Sequence, residues 1–216
     1  MTPDKPDAPV KAENRFMHGA IYHMLWDRPL ASARKKVIEL VPNGASVIDV
    51  ACGTGEFCFE LAAQKNCRVF GIDLSFKMIE FARNRNRHDT VRFEFGDAAD
   101  LARFGTSEFD FATILLLLHE VPGPVRIAAV MEALRIAKKT VIVDSLAPLP
   151  LNIHGVALRI VEAIGGSEHF RSFADFLEAG GISGILRDSS IKASIIHRSV
   201  FWYGCRELVV LESQEK

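Results

Sequence analysis

Apolar residues come in short runs along the chain, and most runs stop at a glycine or an acid. Val47-Ile48-Asp49-Val50 is apolar and β-branched and predicts a short buried strand. Arg68–Asp73 predicts a second strand, and Val91–Phe95 alternates as a half-buried third. Glu108–Phe111 leads into Ala112–Leu118, a fully buried central strand closed by His119-Glu120-Val121-Pro122. Val141–Asp144 is the next strand. Helical spacing appears between them: Phe57, Phe59, Leu61 and Ala62; then Ser75–Arg85; then Pro124–Ala137. Ahead of the first strand, Ala31–Val41 turns Ala33, Val37, Ile38 and Val41 inward and ends at Pro42-Asn43-Gly44. Asn152–Ile164 is an amphipathic helix stopped by Gly165-Gly166, and Ser172–Ala179 is another with a Ser-x-x-Asp start. From Ile185 to Glu212 the pattern alternates as two final strands, one antiparallel, with Trp202-Tyr203-Gly204-Cys205 near a turn. Strands alternating with helices predict an α/β sheet.

Composition adds bounds. At 216 residues the chain suits one domain with a sizeable core, and 49% hydrophobic with 25% charged residues is ordinary for a globular protein. The net charge of -1 gives no global field for nucleic acid or an anionic membrane. Arg83, Arg85, Arg87 and His88 read as a solvated helix end. Residues 1–13 hold Pro3, Pro6 and Pro9 among charges and are expected to be a disordered tail, with 14–216 a single domain. No apolar leader and no run long enough to span a membrane is present, so a cytoplasmic setting is expected. Cys52, Cys58, Cys67 and Cys205 form no C-x-x-C pair, and no His spacing completes a zinc site.

The chemistry centres on Ala51-Cys52-Gly53-Thr54-Gly55, directly after the first strand. Two glycines let the backbone turn sharply and let a ligand approach it. A dinucleotide loop wants a third glycine where Cys58 stands, and Asp49 at the strand end repels phosphate but attracts a cation. Asp73 ends the second strand 18 residues after Gly55, where an acid can accept both ribose hydroxyls. A plain cap for the next helix is its other reading. Met78 sits in that helix, either against an adenine or in the core.

Val47-Ile48-Asp49-Val50-Ala51-Cys52-Gly53-Thr54-Gly55 resembles the first motif of class I S-adenosylmethionine-dependent methyltransferases. The resemblance runs from about Tyr22 to Asp144, and within the family it is nearest the ubiquinone/menaquinone-type small-molecule enzymes. It implies a doubly wound α/β fold with a mostly parallel seven-stranded sheet, helices on both faces and an antiparallel last strand. It implies S-adenosyl-L-methionine as cofactor, held by Asp49, Ala51, Gly53, Thr54, Gly55, Asp73, Leu74, Met78, Gly96, Asp97, Ala98, Leu115 and Leu116. In the family the acid after the third strand, here Asp97, contacts the adenine amino group; Asp100 is a nearby competitor.

The implied reaction is methyl transfer to a small organic acceptor by in-line displacement, in which positioning and desolvation matter more than a base. If a base is used, His119, Tyr22 and His23 are the candidates; a His bonded to loop backbone is the other reading of His119. The aromatic segment 14–30 is either a lid over the acceptor or a core helix, and 145–181 is either a substrate insertion or a dimer surface. Asp144-Ser145 stands where metal-dependent relatives carry Asp-Asn, so no metal is expected. The Asn/Asp-Pro-Pro-aromatic loop of DNA amino-methyltransferases is missing, which argues against nucleic acid as substrate. A monomer or homodimer fits. The rival readings are a nucleotide-dependent oxidoreductase and a non-catalytic cofactor-binding module.

Overall fold

The computed structural model describes residues 19–188 and 190–214, with side chains from Leu30 onward. Helix α1 (Gly19–Leu40) leads into β1 (Ser46–Val50), followed by α2 (Glu56–Lys65), β2 (Arg68–Asp73), α3 (Phe76–Arg85) and β3 (Val91–Phe95). After β4 (Phe109–Leu115), α4 (Gly123–Ile136) and β5 (Ala137–Ser145) come α5 (Ile153–Ile164), α6 (Ser167–Glu178) and α7 (Gly181–Ile185). The hairpin β6 (Ala193–Phe201) and β7 (Arg206–Ser213) closes the fold.

The seven strands form one sheet in the order β3-β2-β1-β4-β5-β7-β6. Every pairing from β3 through β5 is parallel, and β7 is antiparallel to both β5 and β6. After β1 the chain runs out through β2 and β3, then returns to place β4 on the other side of β1. The carboxyl ends of β1 and β4 therefore flank the switch point, where ligands of open α/β sheets bind.

Alternation along β1 explains why this strand is central. Val47 packs into the cluster under α1, α2 and α3, whereas Ile48 and Val50 pack into the opposite cluster under α4. A parallel strand covered on both faces needs apolar residues at nearly every position. A third, smaller cluster of Leu149, Leu158, Phe173 and Cys205 seats α5 and α6, and Leu30 of α1 packs against it. The outer side of α5 stays apolar and exposed at Ile153, Val156, Ile160 and Ile164.

Several sequence boundaries move. The predicted segments before and after Leu30 are one continuous helix, α1, which runs through Pro29. Residues 14–18 and the side chains of Tyr22 and His23 lie outside the described part. Strand β4 ends at Leu115 instead of Leu118, because Leu116 takes a left-handed φ of 58° and turns the chain out of the sheet. Strand β5 begins at Ala137, directly after α4, instead of at Val141. Helix α6 begins at Ser167 instead of Ser172, so the Ser-x-x-Asp pattern lies inside it: Ser172 Oγ donates to the Val121 carbonyl at 2.9 Å and caps nothing.

The loop after β1 uses its glycines differently. Both have positive φ, 53° at Gly53 and 77° at Gly55. A Cβ on Gly55 would lie 2.5 Å from the Phe93 ring, whereas one on Gly53 would meet nothing within 4 Å. Gly55→Ala is expected to cost about 1–3 kcal/mol more than Gly53→Ala, since both carry left-handed strain but only the first overpacks the α2–β3 contact. Thermal melts of the two variants check this; equal destabilisation would remove the packing argument.

Candidate functional site

The backbone of the loop after β1 is tied to the end of β2. Gly53 N donates to Asp73 Oδ2 at 2.8 Å, Ser75 N donates to Asp73 Oδ1 at 2.8 Å, and Cys52 N donates to the Ile72 carbonyl at 2.8 Å. Asp73 thus serves as bracket for one loop and as part of the turn into α3, whose N-cap is Ser75. Each carboxylate oxygen can accept more than one hydrogen bond, so both retain capacity for hydroxyl donors. Burial raises the Asp73 carboxyl above its usual range, against the pull of the two backbone N–H groups.

The neighbouring candidates divide by exposure. Leu74 is 62% exposed and Asp97 is exposed, while Ala51, Gly53, Thr54, Met78, Gly96, Ala98, Leu115 and Leu116 are half-buried. Asp97 Oδ1 accepts from Ala99 N at 2.9 Å, which shapes the turn after β3, and the Gly96 N donates to the Asp73 carbonyl at 3.1 Å. Ala51 and Leu116 both have left-handed backbones. Such strain in non-glycine residues gathers where a fold must present backbone to a ligand. Gly55 is buried, with its Cβ position against Phe93.

Asp49 is the exception. It is only 2% exposed and lies beneath the loop, where Thr113 Oγ1 donates to its Oδ1 at 2.7 Å and Cys58 Sγ donates to its Oδ2 at 3.4 Å. Any attraction it exerts on a cation acts through the loop and not by contact. Burial pushes its carboxyl up to about 7, opposed by the Thr113 and Cys58 hydrogen bonds and reinforced by repulsion from Asp73.

A second buried constellation stands at the carboxyl ends of β4 and β5. Asp144 Oδ2 accepts from Leu118 N at 2.9 Å and from His119 N at 3.3 Å, and its Oδ1 lies 2.7 Å from His119 Nδ1. On the other edge of the ring, His119 Nε2 lies 3.8 Å from Glu162 Oε2, which in turn lies 2.6 Å from His169 Nε2. Arg206 reaches Ser145 Oγ and approaches Glu162 Oε1 to 3.8 Å. Burial lowers the His119 pKa, but Asp144, Glu162 and Glu120 outweigh it and leave the ring above its usual value. Burial likewise acts to raise Asp144 and Glu162; the histidines and Arg206 win, and both carboxyls sit below their usual range.

His119 is 2% exposed, edge-on to Phe173 and Phe176, hydrogen-bonded to Asp144 at Nδ1 and facing Glu162 across a 3.8 Å gap at Nε2. Arg126 of α4 locks the same region. It donates to the Leu118 carbonyl, Asp175 Oδ2 and the Ser172 carbonyl, each at 2.7 Å.

Residues 47–140 match the methyltransferase domain family. Over that stretch, less than half of its length, the chain is similar to methyltransferases. It is 33% identical over 135 residues to the O-methyltransferase cnsE of Penicillium expansum, covering 60% of this chain and 49% of that protein. It is 34% identical over 94 residues to the demethylmenaquinone methyltransferase of Bacillus licheniformis, covering 41% and 40% respectively. The chain thus spans less than half the length of these curated relatives. Its fold is that of a TehB-like S-adenosylmethionine-dependent methyltransferase from Corynebacterium glutamicum, with a TM-score of 0.59 and 18% identity over 92% of this chain and 99% of the other.

The fold brings in groups that the sequence pattern did not single out: Thr113 under Asp49, and Glu162 and Arg206 around His119. Glu162 had a readable signal. Gly155, Leu158 and Glu162 are the buried positions of α5 and recur at helical spacing, so an acid falls on an otherwise apolar inner face.

The raised pKa of Asp49 carries a pH signature. The unfolded carboxyl titrates near ~4, so the folded protein holds the extra proton between there and about 7. The stability this confers is complete below ~4 and is lost as pH rises toward 7. Asp49→Asn keeps an acceptor for Thr113 without a charge. The variant's melting temperature relative to wild type is expected to climb from pH 5 to pH 8, by the equivalent of a few kcal/mol at ~1.4 kcal/mol per pKa unit. A pH-independent difference would contradict the buried-acid assignment.

Proposed function

We propose that the chain transfers the methyl group of S-adenosylmethionine to a small organic acceptor. The observation that carries the reading is the bracket of Gly53 and Ser75 amides on Asp73 at the switch point, beside a Gly53 face with no atom to meet a Cβ. When bound, S-adenosylmethionine supplies a methyl group already activated by its sulfonium, which an acceptor takes by in-line displacement.

The residues fit that cofactor better than a dinucleotide. Gly53 gives it bare backbone, and Asp73 offers acceptors to the ribose hydroxyls. Asp97 and the backbone after it are the candidates for the adenine edge, together with Leu74 and Met78. The buried acid Asp49 favours a cationic ligand behind the loop and disfavours a pyrophosphate. Cys58, bonded to Asp49, fills the place of the third dinucleotide glycine. Leu115 and Leu116, at the exit of β4, supply an apolar wall next to the transferred group.

The acceptor lies in this reading between the sheet edge and the segment 145–181, which α5 and α6 build. The fungal relative's name favours an oxygen nucleophile. His119 is 2% exposed and bonded to Asp144, which favours positioning and exclusion of water as the chain's contribution. Tyr22 and His23, on α1, remain the candidates for direct contact, and α1 reaches the α5–α6 cluster through Leu30. Among the described residues no helix is long and apolar enough to cross a membrane.

Titration calorimetry separates the readings. S-adenosylhomocysteine is expected to bind and NADH is not; the reverse would sink the proposal, and tight binding with no turnover on a broad acceptor panel would point to a non-catalytic module. Asp73→Ala is expected to lose about 2 kcal/mol of S-adenosylhomocysteine affinity. Asp73→Asn, which keeps an acceptor for one backbone amide, should lose less, and unchanged affinity in both folded variants removes the ribose role.

The lid reading has its own test. Deleting residues 1–29 should lower kcat while cofactor affinity and the melting transition persist. Loss of the transition would make the segment core, and full turnover would make it neither.

A further inference from the structure

The two faces of the His119 ring system pose a problem of protons. Nδ1 lies 2.7 Å from Asp144 Oδ1 and must carry a hydrogen toward it. If the ring is neutral, the lone pair of Nε2 then faces the carboxylate oxygen Glu162 Oε2 at 3.8 Å. Two acceptors confront each other there, and the gap is too long for a hydrogen bond. Glu162 is 1% exposed; its Oε1 makes no hydrogen bond and faces Arg206 Nη2 at 3.8 Å, while its Oε2 faces both histidines. A buried carboxylate oxygen facing an imidazole lone pair is costly unless something positive stands between them.

His169 adds a third donor from the opposite side, with Nε2 2.6 Å from Glu162 Oε2. The donor atoms of His119, Glu162 and His169 all lie within 4.8 Å of one another, and all three residues are buried. They arrive from three separate elements: the loop after β4, α5 and α6.

We propose that His119, Glu162 and His169 form a site for a divalent transition-metal ion of the zinc type, which fastens the α5–α6 hairpin to the loop after β4. Two imidazoles and a carboxylate are the donor set such ions prefer. Ligand bonds of about 2.0–2.2 Å put tetrahedral donor atoms roughly 3.3–3.5 Å apart. The His119–Glu162 gap closes slightly to reach that spacing, and the His169–Glu162 hydrogen bond opens. Asp144 already occupies the outer position that metal-binding histidines use, accepting from Nδ1 and directing Nε2 inward. Arg206 and Glu120 are the remaining charges facing the group, of opposite sign. The alternative occupant is a proton, which would make His119 an imidazolium between two carboxylates. The site is independent of the acceptor and of the methyl-transfer reading.

The test uses the full chain, freed of metal with a chelator and titrated with Zn2+ by calorimetry and with Co2+ by visible absorption. One ion per chain is expected, with a rise in melting temperature and cobalt bands of a nitrogen–oxygen site lacking thiolate charge transfer. Glu162→Gln and His169→Gln should weaken Zn2+ by about 100-fold or more, and Asp144→Asn, acting through His119, by roughly 10–100-fold. Should a variant fail to fold, the cobalt spectrum of the wild-type protein still reads the ligand type. Absence of saturable binding to the wild type assigns the gap to a proton and overturns the proposal. Thiolate bands, or affinity unchanged in all three folded variants, overturn it by placing the ion elsewhere.

Discussion

One carboxylate holds the cofactor side together. Asp73 ends β2, yet it fixes the conformation of the loop after β1 through Gly53 N and starts α3 through Ser75 N. The bracket depends on register, since β1 and β2 are paired from Ser46 with Arg68 to Val50 with Ile72. That pairing delivers the acid to the height of the loop after the neighbouring strand. Alternating burial on the two sheet faces fixes the register in turn, because a one-residue slip would turn Val47 and Val69 out of their shared cluster.

Three strands away, Asp144 does comparable work in a drier place. It receives the backbone amides of Leu118 and His119, the amide of Ser145 and the His119 ring. The left-handed turn at Leu116 releases the chain from β4, and Asp144 catches it again two residues later, at the Leu118 amide. The two carboxylates differ in setting and so in titration. Among the described residues only backbone N–H groups oppose the burial that raises Asp73, while Asp144 is surrounded by His119 and Arg206 and is lowered despite its burial.

The alternating sheet and the cofactor edge were legible in sequence because local chemistry specifies them. Val47–Val50 can pack only on two faces, and Gly53 and Gly55 come at once where the turn must be sharp. Thr113 and Glu162 were not legible in the same way, since their roles arise between residues 64 apart in one case and 43 in the other. His119 was visible as a residue but not as a buried one, because its cover comes from Phe173 and Phe176 of α6. The start of α6 was misplaced for a related reason: Ser172 and Asp175 resemble a cap locally but serve Arg126 of α4.

The direct passage from α4 into β5 has a consequence for how the fold tolerates change. Ile136 ends the helix and Ala137 begins the strand, so no loop stands between them to absorb a length difference. An added or missing residue at that joint would be transmitted down the strand as a half-turn of every side chain. Asp144 would then face the other side of the sheet, away from Leu118 and His119. The joint works as a gauge, in which the count of residues from Ala137 decides on which side of the sheet the acid emerges.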